Sequence, residues 1–249
     1  MVSELILPAA GLLAGAMNAV AGGGSFVTFP ALVLSGVPSV AANASSTVAL
    51  FPGAVSSAWA FREDFRTLHG VPVRALLPVS TAGGLVGALL LLFTPDRLFD
   101  AVIPWLLLGG TLAFALGPHV SSRLRRALPI GKGGLFAAQF LLGIYGGYFG
   151  GAVGLMMMAV WSVLGVTDVR AMVAGKALLV GAANAAAVLC FAAAGQVWWA
   201  RALTMALAAT VGGYAGARFG RRLPVPVLRG AITAFNVAIT VAFFLRAHR

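Results

Sequence analysis

Lys176 is the charge that lies deepest in an apolar stretch of this chain, and no carboxylate accompanies it there. The six acidic residues, Glu4, Glu63, Asp64, Asp96, Asp100 and Asp168, fall at the ends of apolar stretches or between them. A cation carrier or a carboxylate proton relay normally places an acid inside. A cation without such a partner suits a negatively charged ligand. The competing reading is snorkelling, since Lys176 stands only six residues past Arg170 and its aliphatic stem can lie along apolar surface.

Neutral polar residues supply the remaining chemistry. Asn43, Ser46 and Thr47 are spaced i, i+3, i+4 and share one helix face. Lys176 and Asn184 lie about 80° apart around a helix of 3.6 residues per turn. Asn18, Ser25 and Thr28 flank the run Gly22-Gly23-Gly24, and Tyr145 and Tyr148 flank the glycines of a second break, 146–151, which includes Gly150. Such runs do not hold a straight helix and free the backbone to turn. Freed backbone inside a bilayer survives only against protein or a water-filled cavity. A helix that restarts there offers open N–H groups and a positive dipole end to an anion. The substrate-binding candidates are therefore Asn18, Gly22, Gly23, Gly24, Ser25, Thr28, Asn43, Ser46, Thr47, Tyr148, Gly150, Lys176 and Asn184. Against this stands the common use of hydroxyls, amides and glycines in membranes, which is to hold helices together.

The elements that must position these residues are long apolar runs, near 5–21, 25–37, 40–61, 71–93, 98–117, 134–150, 152–166, 171–194, 198–217 and 226–245. The second and seventh are too short to cross a bilayer, which takes about 20 residues. Each follows a glycine-rich break, so runs one and two, and six and seven, are expected as hairpins of broken or re-entrant helices. With 60% hydrophobic and 9% charged residues and a mean hydropathy of +0.98, the chain has too little polar surface for water. Continuous runs, rather than alternation at period two, exclude a β-barrel. The first run lacks a basic start and a small-residue cleavage site, so it is expected to be retained.

Arg and Lys collect in the segments 62–74, 118–133 and 218–225, which places those at the cytoplasmic face. The segments near 94–97 and 195–200 then lie outside. The C-terminal Arg246 and Arg249 come out external, against the rule. This distribution accounts for the net charge of +11 without nucleic acid. No phosphate-binding G-x-x-x-x-G-K-[ST] loop is present, so the chain is not read as an ATPase. His69, His119 and His248 have no ligand spacing, no Ser–His–Asp grouping exists, and Cys190 is alone. The expectation is no enzyme, no metal and no cofactor.

The chain matches itself at a shift of 129 residues. Gly36-Val37 falls on Gly165-Val166, and Thr81, Gly83, Gly84 and Gly87 fall on Thr210, Gly212, Gly213 and Gly216. Ile103, Thr111, Phe114 and Leu116 fall on Ile232, Thr240, Phe243 and Leu245. Five runs per copy, an odd number, invert the second copy in the membrane. Inverted repeats with broken helices at matching places are the pattern of a secondary transporter with its site near the midplane. A duplicated membrane scaffold is the alternative.

Asn18-Ala-Val-Ala-Gly-Gly-Gly-Ser25 with Pro30, Gly36-Val-Pro38, Asn43-Ala-Ser-Ser-Thr47, Gly143-Ile-Tyr-Gly-Gly-Tyr-Phe-Gly150, Asp168, and Lys176 with Asn184 resemble the TauE/SafE family of membrane permeases. The resemblance covers nearly the whole chain. It departs at Met172-Val-Ala-Gly175, where the family often carries Ala-Asn-Ala. It implies an inner-membrane, multi-pass carrier of small sulfur-containing or carbon-chain anions such as sulfite, sulfonates or sulfoacetate. The resulting expectation is an all-α polytopic membrane protein of two inverted repeats, 1–117 and 134–249, joined by a cytoplasmic basic loop at 118–133. Its function would be secondary transport of a small anion, with an uncoupled anion channel or a non-transporting scaffold as alternatives. Its partners would be that anion and the lipid bilayer, with a homodimer left open and no nucleic acid.

Overall fold

Ten apolar runs become ten α-helices in the computed structural model, which describes residues 2–20, 23–124, 131–219 and 225–247. The helices are α1 (Val2–Val20), α2 (Ser25–Leu34), α3 (Ser39–Ala60), α4 (Leu77–Leu92), α5 (Asp96–Leu124), α6 (Lys132–Tyr148), α7 (Val153–Val163), α8 (Val169–Ala193), α9 (Trp199–Phe219) and α10 (Val225–Ala247). α5 continues through Pro118 to Leu124, into the basic segment. Apolar character ends near Gly117, but backbone hydrogen bonding does not depend on it. α4 starts later than the run at 71–93, because a small hairpin comes first. Its strands β1 (Thr67–Leu68) and β2 (Val71–Pro72) pair antiparallel around His69 and Gly70, both at positive φ. That is the two-residue turn a hairpin twist favours.

The molecule has two polar ends. At one, Ser39 donates to Asp100, the Val40 N–H donates to Asp96 (2.8 Å), and Arg201 donates to the Ser35 carbonyl (2.8 Å). Asp96 thus satisfies one open N–H at the start of α3, and Asp100 adds negative charge at the same positive end. At the other end, Arg66 lies 3.7 Å from Asp168, which caps α8 by accepting from the Ala171 N–H (3.1 Å). α2 reaches the first end with its C-terminus and α7 reaches the second with its own. Their 10 and 11 residues rise about 15–17 Å, half of a hydrocarbon core about 30 Å thick. Both short helices therefore begin at mid-depth.

Packing around them pairs α1 with α9, α4 with α6, α3 with α8 and α5 with α10. Under the 129-residue shift the first two pairings are images of each other, and the last two are their own images. Thr111 and Thr240, 129 positions apart, meet at 3.1 Å. The α4–α6 and α1–α9 seams are glycine seams. A Cβ on Gly147 would sit 2.1 Å from the Gly84 carbonyl oxygen, and one on Gly212 would sit 1.9 Å from that of Leu12.

Burial is inverted relative to a water-soluble bundle. Thr28, Asn43, Ser45, Ser46, Ser80 and Gln139 are buried, while Leu34, Phe93, Trp105, Leu141, Leu189 and Leu207 are exposed. Val73–Leu92 and Val169–Ala193 are long and apolar enough to cross a membrane by length and composition.

The seam sets a first prediction. Gly147→Ala should cost about 3 kcal/mol or more, because a carbonyl on the facing backbone cannot step aside. Gly109→Ala, with nothing within 4 Å, should leave the midpoint unchanged or raise it. Thermal unfolding of the two variants in detergent checks the contrast.

Candidate functional site

The first break leads into α2. Gly22 lies outside the described residues. Gly24 is held where a Cβ would meet the Ala14 carbonyl at 2.8 Å and Asn18 Cβ at 3.3 Å, which places half-buried Asn18 against the break. The Gly23 carbonyl accepts from the Phe26 N–H (3.1 Å) and that of Gly24 from the Val27 (3.0 Å) and Thr28 (3.1 Å) N–H groups. No side chain caps the N-terminus of α2.

Behind this turn α3 presents the face expected from its spacing. Thr28 Oγ1 lies 2.5 Å from Ser46 Oγ and 3.3 Å from the Gly24 carbonyl. Both bonds form together when Ser46 donates to Thr28 and Thr28 donates to Gly24. Thr47 donates to the Asn43 carbonyl (3.0 Å), inside its own helix. Ser25 is buried at the first position of α2. Asn43 Nδ2 donates to the Tyr148 carbonyl (2.9 Å), so α3 touches the second break directly. Its Oδ1 is buried with no donor.

At that second break the chain leaves α6, and Gly150 (φ +75) and Ala152 (φ +58) turn it through the left-handed region. Glycine meets that geometry freely, but alanine is strained there. Tyr145 holds the turn, its hydroxyl donating to the Gly151 carbonyl (2.8 Å). The side chain of Tyr148 points elsewhere, with its hydroxyl 3.4 Å from Thr94 Oγ1 and its ring against Phe99. Tyr148 thus meets Asn43 through its carbonyl and not through its phenol.

Lys176 enters from α8. Its stem crosses Gly154 in the first turn of α7, so closely that a Cβ on Gly154 would lie 2.7 Å from Cδ and 2.8 Å from Cγ. No side chain caps α7, and the Gly154 N–H has no backbone partner among the described residues. Lys176 forms no ion pair or side-chain hydrogen bond there either. Asn184, two turns further along α8, has a buried Oδ1 without a donor. A cation, an open helix N-terminus and unfilled polar groups in an apolar bundle can hold an anion.

The structure brings the two breaks together. Phe26 and Ala152 approach one point on α5, where a Cβ on Gly110 would lie 2.8 Å from the Phe26 ring and 3.4 Å from Ala152 Cβ. Thr28, Ser46, Asn43 and the Tyr148 carbonyl form one cluster; no hydrogen bond among the described residues joins Lys176 to it. Apolar packing closes both sides. Phe29, Phe99, Phe149 and Phe243 stack toward one end, and Leu68, Val73 and Trp161 cover Gly175, beside Lys176, toward the other.

Sequence reasoning missed Gly154, and it missed a buried network in which Trp161 donates to Gln139 Oε1 (3.2 Å) and Gln139 Nε2 donates to Ser80 (2.7 Å). Gln139 was the available signal, an amide inside an apolar run.

The sequence pattern of the family described as Sulfite exporter TauE/SafE matches residues 7–243. The chain belongs to the TauE/SafE family. Curated relatives agree on the broad role. A "Probable membrane transporter protein ORF9" of a Sinorhizobium species is 26% identical over 238 residues, covering 93% of this chain and 88% of that protein. "Probable membrane transporter protein YfcA" of Escherichia coli K12 is 29% identical over 227 residues, covering 90% and 82%. A "Probable membrane transporter protein" of Haemophilus influenzae is 28% identical over 237 residues, covering 94% and 92%. No solved structure gives a significant match. This TauE/SafE chain is a membrane transporter, in keeping with its exposed apolar faces and buried polar core.

The Gly154–Lys176 crossing sets a second prediction. Gly154→Ala should destabilise this TauE/SafE protein by about 1–2 kcal/mol through overpacking. The same change on a Lys176→Ala background should cost much less, because the clash needs both side chains. Thermal unfolding of the four proteins gives the coupling.

Proposed function

We propose that this transporter moves a small anion, sulfite or an organosulfonate, across the cytoplasmic membrane by secondary transport. The observation that carries the reading is Lys176, an intramembrane cation laid against the uncapped N-terminus of α7 without a carboxylate partner. One negative charge of the anion is balanced there by the ammonium, the Gly154 N–H and the positive end of the helix. Ser25, Thr28, Ser46 and Asn43 at the first break add neutral contacts from the other side. The name of the family supports sulfite and related sulfur anions as the first substrates to examine.

In this reading α1–α5 and α6–α10 are inverted repeats. The image-related helix pairings and the meeting of Thr111 with Thr240 support it. The pseudo-two-fold axis would pass between those threonines, and rocking of one repeat against the other would open the site alternately. The apolar packing on both sides of the polar residues suits such a cycle. The end holding Arg66, Lys132, Asp168 and Arg170 faces the cytoplasm, as the excess of Arg and Lys requires.

Reconstituted into liposomes, the protein should carry sulfite, thiosulfate or sulfoacetate saturably, and Lys176→Met should lower that flux by about tenfold or more. Flux of acetate equal to that of the sulfur anions would remove the substrate assignment. Wild-type flux retained in Lys176→Met would return this residue to a snorkelling role. Flux that never runs against a gradient would make the protein a channel.

Orientation has its own check. With Cys190 replaced by Ser, Gly131→Cys should react with an impermeant thiol reagent only from the cytoplasmic side, and Gln196→Cys only from outside. The reverse pattern would overturn the assignment.

A further inference from the structure

The transport site leaves the outer ends of α5 and α10 unexplained. A cavity of ≈ 470 Å³ opens between them, lined by Arg97, Asp100, Ala101, Phe243 and Arg246. Neither arginine has an ion-pair or hydrogen-bond partner among the described residues, while Asp100 is engaged by the Ser39 hydroxyl. Two unmatched guanidinium groups from different helices, facing one cavity, suit an anion with several oxygens, because each can bind two of them.

The surface below this rim is apolar. Arg97, Ala101 and Trp105 follow one another at i, i+4, i+8 and form a single row on α5. Trp105 is 65% exposed and meets Phe244 of α10 edge to face at 5.1 Å, so the aromatic pair bridges the seam. Leu98, Val241 and Leu245 flank the pair, each half exposed or more. Leu98 beside Arg97 and Leu245 beside Arg246 already expose hydrocarbon next to the cations, and Trp105 and Val241 continue it inward. A soluble oxyanion would use only the cations. An amphiphile with a phosphate head and acyl tails would use both the cations and the apolar surface that runs inward from them.

We propose that the α5–α10 seam is a specific site for one glycerophospholipid, whose phosphate is held between Arg97 and Arg246 and whose acyl chain lies along Trp105 and Val241. The lipid fastens the outer ends of these two helices together. This site is separate from the Lys176 site and does not depend on its substrate.

Native mass spectrometry of the full-length detergent-purified protein tests the site, with phosphatidylglycerol as the probe. A phosphate-free galactolipid of matched chains is the control. Wild type should retain one phosphatidylglycerol. The double variant R97Q/R246Q should bind it about tenfold more weakly, and R97K/R246K should recover part of the loss. The galactolipid should not be retained. Equal retention of phosphatidylglycerol by wild type and a folded R97Q/R246Q would overturn the proposal, as would equal retention of the galactolipid. So would stabilisation of the lipid-free protein by inorganic phosphate but not by phosphatidylglycerol, which would mark a soluble-anion site. If the glutamine variant does not fold, the galactolipid comparison on wild type decides alone.

Discussion

A helix that stops halfway through hydrocarbon exposes backbone groups that lipid cannot satisfy. α2 and α7 both start at mid-depth, and most of the packing can be read as the enclosure this requires. α3 and α8 lie against their inner faces, and α5 passes both starting points at Gly110. The uncapped N–H groups therefore face protein. The enclosure works only because neighbouring helices approach very closely. At Gly84–Gly147 and Gly212–Leu12 the backbones nearly touch, which leaves no path for lipid to the breaks.

Enclosure also decides where the polar side chains go. Within the bundle an unpaired hydroxyl or amide is costly, so most are paired: Thr28 with Ser46, Thr111 with Thr240, and Gln139 with Ser80 and Trp161. The exceptions mark where a ligand has something to gain. Asn43 Oδ1, Asn184 Oδ1 and Asn236 Oδ1 are buried without donors, and the Lys176 ammonium and the Gly154 N–H lack protein acceptors among the described residues. Apart from Asn236, on α10, these exceptions lie along α3, α7 and α8, the helices that line or form the breaks.

Much of this was legible in the chain. Ten apolar runs gave ten helices, because span length and composition are local properties. The breaks were visible as glycine runs, and the face of Asn43, Ser46 and Thr47 as a spacing. What could not be read depends on which helix lies opposite. Asp96 and Asp100 look like ordinary interfacial acids, yet they accept hydrogen bonds from the start of α3, 56 and 61 positions away. Tyr145 and Tyr148 look equivalent beside the glycines, but only Tyr145 points its hydroxyl into the turn. Gly154 is one glycine among 32, and its importance appears only when Lys176 is laid over it.

On the proposal that Lys176 holds the anion, that last pair would let two similar halves bind an ion that has no symmetry of its own. At the positions matching Gly154 and Lys176 under the 129-residue shift stand Ser25 and Thr47. In one half two middle-sized polar residues, both buried, stand at the corresponding places on the short helix and the long helix. In the other, the smallest residue makes room for one of the longest. Total volume at the crossing changes little, so the same backbone geometry can serve both halves, as close-packed interiors demand. The charge does change, because only the glycine–lysine version brings a cation to a helix N-terminus. Duplication would supply two equivalent half-helix sockets. A volume-conserving exchange at one of them is enough to make the pair cationic on one side and neutral on the other, which would place one counter-charge beside a bound anion.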